Sequence, residues 1–98
     1  MKLIIRQKAI ADILLAVEWY KSISAKLKDD FLDELKISLE RVEKNPAIGH
    51  SYLSKARIVW LDRFPYSIVY KELKEKQLVA VVGVFHIRKH PNAMLKRL

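Results

Sequence analysis

The sequence contains no cysteine. Disulfides, thiolate metal sites and cysteine nucleophiles are therefore excluded, and so is a small secreted fold that depends on covalent staples. Only two glycines and three prolines punctuate the chain. That scarcity leaves little room for linkers and rules out phosphate loops and dinucleotide fingerprints, which need glycines clustered within a few residues. No run approaches the ~18 consecutive apolar residues of a membrane helix. The opening stretch MKLIIRQKAIADILLAVEWY is interrupted by Arg6, Lys8, Asp12 and Glu18, and no small-residue cleavage site follows it. It reads as folded structure rather than a signal peptide, so the expected location is cytoplasmic. Acid is scarce in one half only. Residues 1–43 hold eight Lys/Arg and eight Asp/Glu, whereas residues 44–98 hold eleven and three, so the net +8 lies entirely in the second half. A field of that kind steers anionic partners, whether nucleic acid, an acidic protein or a phosphorylated surface.

What is present suits a globular domain: 51% hydrophobic and 31% charged residues in 98. A chain of this size buries roughly 60–65% of its extended surface, enough for one core and too little for two. One domain over residues 1–98 is expected.

Lys2 to Ile5 form a short apolar run that predicts a first strand. Ile10, Ile13, Leu14, Val17 and Tyr20 recur at intervals of three and four and predict a helix over 8–22, with Trp19 off the stripe. Ser24 is placed to cap a second helix over 25–44, whose stripe is Leu27, Phe31, Leu35, Leu39 and Val42. Asn45-Pro46 ends it, because proline lacks an N–H and restrains the residue before it. The period then changes to two. Ala56, Ile58 and Trp60 alternate with Arg57, Val59 and Leu61, and Tyr66, Ile68 and Tyr70 with Ser67, Val69 and Lys71. Both segments predict half-wet strands. LVAVVGVF at 78–85 has no polar alternation and predicts a central strand covered on both faces, with Gly83 marking a bulge or close approach. Pro91 is expected to act as a local breaker in a basic tail. The order strand, helix, helix, strand, strand, strand implies a two-layer α+β fold in which the helical hairpin packs on the sheet.

The candidate functional residues are mainly basic: Lys55, Arg57, Arg63, Arg88, Lys89, Lys96 and Arg97. Arg57 should emerge opposite Ala56 and Ile58, and it is expected to converge with Arg63 and Arg88 on one surface suited to phosphate or carboxylate. His86, at the end of the last strand, reads either as an acid–base group or as a partly packed imidazole. His50, His86 and His90 form no metal motif, and neither metal nor other cofactor is expected. Trp60, Phe64, Tyr66, Tyr70 and Phe85 interleave with the basic strands, where they suit base stacking or, for at least three of them, the core.

The pieces EWY at 18–20, FLDEL at 31–35, NP at 45–46, RFPYSIVY at 63–70 and FHIRKHP at 85–91 together resemble the RelE/ParE superfamily of bacterial toxins, in its plasmid-stabilisation, ParE-like branch. The likeness runs from Ala9 to Pro91. It implies a helical hairpin on a mixed, mainly antiparallel sheet, and the toxin half of a type II toxin–antitoxin pair. Such a toxin is neutralised by a small acidic antitoxin, whose DNA-binding part is the pair's route to the operon, so DNA contact is expected to be indirect. ParE-like members inhibit DNA gyrase; RelE-like members are ribosome-dependent endoribonucleases that cut mRNA, often with a C-terminal tyrosine. Here Arg88 matches the arginine after the last strand, and Arg57 and Arg63 fall among the basic positions of the middle strands. Ser67 stands where an arginine is usual, and the tail IRKHPNAMLKRL has no tyrosine. The resemblance therefore implies a ParE-like inhibitor, with Lys55, Arg57, Arg63, Arg88 and Lys89 meeting antitoxin or target. The alternative is a RelE-like mRNA endoribonuclease using Arg57, Arg63, His86 and Arg88.

Overall fold

A computed structural model describes residues 1–89 and 91–98; His90 lies outside the described residues. Strand β1 (Lys2–Ile5) leads into helix α1 (Gln7–Ile23), and α2 (Ala25–Lys44) follows after one residue. That residue is Ser24, whose hydroxyl accepts the Leu27 N–H at 3.0 Å, the expected cap. A short 3₁₀ turn, Pro46–Ile48, takes over where the proline ends α2. Strands β2 (His50–Ser51), β3 (Ala56–Trp60), β4 (Tyr66–Leu73) and β5 (Leu78–His86) complete a sheet of order β1-β5-β4-β3-β2, and α3 (Pro91–Leu95) closes the chain. β1 runs parallel to β5, and the other neighbours are antiparallel. The α+β architecture read from the sequence is thus the observed one, with β5 inside the sheet and buried on both faces along Val79–Phe85. The middle strand, however, is β4, expected to be half-wet and buried on both faces along Ser67–Tyr70 because β5 and β3 flank it.

Three local expectations are corrected. The α1 stripe holds for Tyr20, which is buried, and for Ile13 and Val17, which pack on the core, but Ile10 and Leu14 are 44% and 59% exposed and Ala9 and Ala16 are buried in their stead. The inward face thus mixes small and large side chains, and position round the helix rather than hydrophobicity alone decides which residues turn inward. Pro91 does not break structure; it takes the first position of α3, where its missing N–H is not needed. The two-residue strand β2, opposite Arg57 and Ile58, was too short to show a period.

The sheet carries a core on each face. On the helix side Tyr20 and Phe31 pack ring to ring with Phe64 and Tyr66, centroids 5.0–6.2 Å apart. Leu35, Val42, Ile68, Tyr70 and Val81 extend this layer. On the outer side Ala56, Ile58, Val69, Val82 and Phe85 form a second cluster, covered by Met94 of α3 with Tyr52 and Leu98 at its margin. A register shift opposite Val69 and Tyr70 leaves Val82 of β5 as the extra residue of a bulge beside Gly83. A Cβ on Gly83 would stand 2.2 Å from the Phe85 ring, so glycine is what lets that ring lie flat on the outer face.

The C-terminal segment is fastened by charge. β1 reaches only as far as Val81 on its neighbour, which leaves the β5 edge beyond it without a strand. Asp12 of α1 fills that place, accepting the Val84 N–H at 3.0 Å. Arg97 grips both oxygens of Asp12, at 2.8 and 2.9 Å, and donates to the Val82 carbonyl at 3.2 Å. Its guanidinium lies over the Phe85 ring, 5.0 Å from the centroid. Lys71 Nζ donates to the Leu98 carbonyl at 2.6 Å. We call this arrangement the clasp.

Candidate binding surface at the end of the sheet

The turn between β3 and β4 and the exit from β5 lie at the same end of the sheet, because Tyr66 pairs with His86 and the Ile87 N–H donates to the Pro65 carbonyl at 2.8 Å. Arg63, Tyr66, His86, Arg88 and Lys89 therefore share that end. The turn amides have no strand partner and need acceptors. Glu34 of α2 provides them, taking the N–H of Asp62 at 2.6 Å and of Arg63 at 3.1 Å. That tether lies 28 residues from Asp62 along the chain, and no local pattern points to it.

Arg63 stands over Phe64, 5.7 Å from its centroid, and meets Asp30 at 3.4 Å with its own side chain 65% exposed. Hydrogen bonding from Lys26, and then the charges of Lys26 and Arg63, hold the Asp30 carboxyl below its ordinary value. An ion pair so exposed holds Arg63 only weakly, leaving it available to a partner. Arg88 and Lys89 are exposed, and neither side chain has an acidic partner among the described residues.

His86 is half-buried, as the packed reading expected, and its ring meets Tyr66 edge-on at 5.2 Å. Its Nδ1 accepts the Arg88 N–H at 3.1 Å, so the proton of the neutral ring sits on Nε2. Burial pushes the Tyr66 phenol up. Tyr66, His86 and Lys89 line an open cleft of about 180 Å³ with Asp12, Leu15 and Phe85.

Arg57 does not join this group. It pairs with Tyr70 on β4, whereas His86 pairs with Tyr66. Those positions are about 13 Å apart at ~3.3 Å per residue. Arg57 does leave the sheet on the face opposite Ala56 and Ile58, but its Nη1 donates to the carbonyls of Gly49 at 2.8 Å and Ala47 at 3.4 Å. Beside it the Tyr70 hydroxyl donates to the Pro46 carbonyl at 2.6 Å and accepts the Gly49 N–H at 3.0 Å. Burial pushes that phenol up and keeps it protonated for the task. Arg57 and Tyr70 thus tie the end of α2 to β2. Lys55 is exposed at this far end, on a turn where Ser54 and Lys55 both take left-handed φ values of 56° and 63°.

Among the aromatic residues, Phe64, Tyr70 and Phe85 are buried in the two cores and Tyr66 packs against one of them. Trp60 is 51% exposed beyond the end of β2, with its ring 5.3 Å from His50. It borders a groove of about 340 Å³ shared with Ile37, Arg41 and Arg63, which the sequence pattern did not bring out. The signal was Ile37, an apolar residue lying off the α2 stripe.

Residues 3–91 match the family described as "ParE toxin of type II toxin-antitoxin system, parDE". The chain belongs to the ParE toxin family. Its fold is also that of a chain in the chromosomal ParDE toxin–antitoxin system of P. aeruginosa, with TM-score 0.77 at 16% identity over 88% of this chain and 95% of that one. The isolated RelE toxin of E. coli superposes with TM-score 0.59 at 18% identity, over 99% and 98% of the two chains. A chain of the intact E. coli RelBE complex gives 0.59 at 20% identity, over 90% and 98%. No curated protein matches the sequence. Within the ParE fold, Ser67 is 3% exposed and its Oγ donates to the Phe85 carbonyl at 3.4 Å, inside the sheet rather than on a charged surface. Among the described residues no helix is long and apolar enough to cross a membrane.

Proposed function

We propose that this ParE-family toxin arrests growth in the cytoplasm by acting on DNA gyrase, that residues 1–98 work as one toxin domain, and that a short acidic antitoxin neutralises it. The observation that carries this reading is the family match over residues 3–91. The basic end of the sheet supports it: Arg63, Arg88 and Lys89 present exposed cations on the turns beyond the strand ends, the chemistry that pairs with carboxylates of an acidic chain. Arg57 is engaged internally, so the partner-facing role falls on the other three.

A second reading is RelE-like cleavage of ribosome-bound mRNA. What favours it is the His86 ring, with Nε2 left for proton transfer, beside Tyr66, Lys89 and Arg88. What weighs against it is the tail without tyrosine and the buried Ser67.

The antitoxin contact is tested by titration over a salt series. Arg88→Glu with Lys89→Glu is expected to weaken binding at least tenfold and flatten its salt dependence, because charge-assisted contacts are lost. Unchanged affinity and slope would contradict the assignment. The target is tested by assaying gyrase supercoiling beside cleavage of ribosome-bound mRNA.

A further inference from the structure

The clasp brings the two ends of the chain together and builds a second basic surface, next to the cleft of His86 and Lys89 and joined to it through the Asp12–Arg97 pair. Arg6, Gln7, Lys8, Val82, Lys96 and Arg97 line an open cleft of about 280 Å³. Arg6 and Lys8 come from the electrically balanced half of the sequence, and Lys96 from the basic tail. Only Arg97 is neutralised, by Asp12. Arg6, Lys8 and Lys96 are exposed and have no acidic partner among the described residues. Three cations held around one cleft repel each other, and that cost is relieved by an anion shared among them.

The lining decides the class of anion. Protein interfaces enrich aromatic side chains and deplete lysine at their centres. Among the described residues no lining side chain is aromatic, and the apolar member, Val82, is 1% exposed. Long cationic side chains without an apolar anchor suit contacts that position a phosphate backbone and read no sequence. We infer that the cleft between the start of α1 and the C-terminal tail binds the phosphodiester backbone of nucleic acid directly. The contact is additional to any reached through an antitoxin, and it does not rest on the choice of gyrase as target.

The test is fluorescence anisotropy of the full-length chain with a short labelled DNA duplex of arbitrary sequence and, in a second arm, a labelled single-stranded RNA, each across a salt series. The triple variant Arg6→Gln, Lys8→Gln, Lys96→Gln is expected to bind at least tenfold more weakly at low salt. Its log–log salt slope on the duplex should be shallower by about 2–3, since each phosphate contact contributes ~0.9. The tighter of the two probes identifies the nucleic acid. The single variants Lys8→Gln and Lys96→Gln should each reduce the slope by about one, and they carry the test if the triple variant melts early. Antitoxin binding by the triple variant should match that of the unaltered chain, which separates this cleft from the end of the sheet. Equal affinity and slope for triple variant and unaltered chain would overturn the inference. Competition by polyglutamate as effective as by unlabelled duplex would also overturn it, pointing to an acidic protein.

Discussion

Phe31→Ala is expected to destabilise the fold by ~3–5 kcal/mol. Phe31 is fully buried, and its ring touches Tyr20, Phe64 and Tyr66 at centroid distances of 5.1, 5.4 and 5.3 Å. It is the one side chain of α2 that meets both α1 and the β3–β4 turn through aromatic contacts. Truncation loses the transfer energy of the ring and leaves a cavity that three stiff neighbours cannot close. Against a total stability of ~5–15 kcal/mol for a chain of this size the loss is severe. The melting temperature should fall by roughly 15–30 °C, read by circular dichroism. Phe31→Leu should recover more than half of the loss. A loss under ~1 kcal/mol for the alanine variant would mean that the hairpin is held to the sheet by other contacts.

The second large effect is expected at the clasp. Asp12→Ala removes the acceptor for the Val84 N–H and for both arms of Arg97 at once. Breaking a fully buried ion pair costs ~3–5 kcal/mol. Here the two side chains keep 19% and 14% exposure, so we expect about 2–3 kcal/mol. Amide exchange should accelerate first in residues 91–98 and at Val84. Arg97→Ala added to Asp12→Ala should cost little further, because the guanidinium is already stranded, and the double-mutant coupling should exceed ~1 kcal/mol. Additive losses would show that Arg97 acts through its stack on Phe85 alone. Donating its hydrogen bonds to the Asp12 carboxylate raises Arg97 above its already high ordinary value. A cation raised in this way contributes stability that is fully present below its unfolded value and is lost only as pH rises through the folded one. Mild alkali should therefore leave the clasp closed.

Much of the fold was legible because its signals are local. Leu27, Phe31, Leu35, Leu39 and Val42 mark one side of α2, Ser24 and Asn45-Pro46 bracket it, and the unbroken run 78–85 identifies a strand buried inside the sheet. The inward face of α1 was legible in part: Ile13, Val17 and Tyr20 do turn to the core, whereas Ile10 and Leu14 outrank Ala9 and Ala16 in hydrophobicity and yet face solvent. The site divides in the same way. Arg63, His86, Arg88 and Lys89 share one end of the sheet, because each lies at or just beyond the end of a strand whose pairing was foreseeable. Arg57 was misplaced because alternation gives the face of a strand and not the level along it, and the carbonyls of Ala47 and Gly49 that engage it lie in an irregular segment. The charge tally placed all the excess in the second half. Folding sets Arg6 and Lys8 beside Lys96, a grouping that follows from the Asp12–Arg97 contact across 85 residues.

The toxin proposed above works on gyrase rather than on mRNA. The most direct measurement of that action is the supercoiling of relaxed plasmid by purified gyrase as the purified chain is titrated in, with an equimolar antitoxin control. The account predicts dose-dependent loss of supercoiled product, restored by the antitoxin. Full supercoiling at doses that arrest growth, together with cleavage of ribosome-bound mRNA that fails in His86→Ala, would contradict it and establish the RelE-like reading.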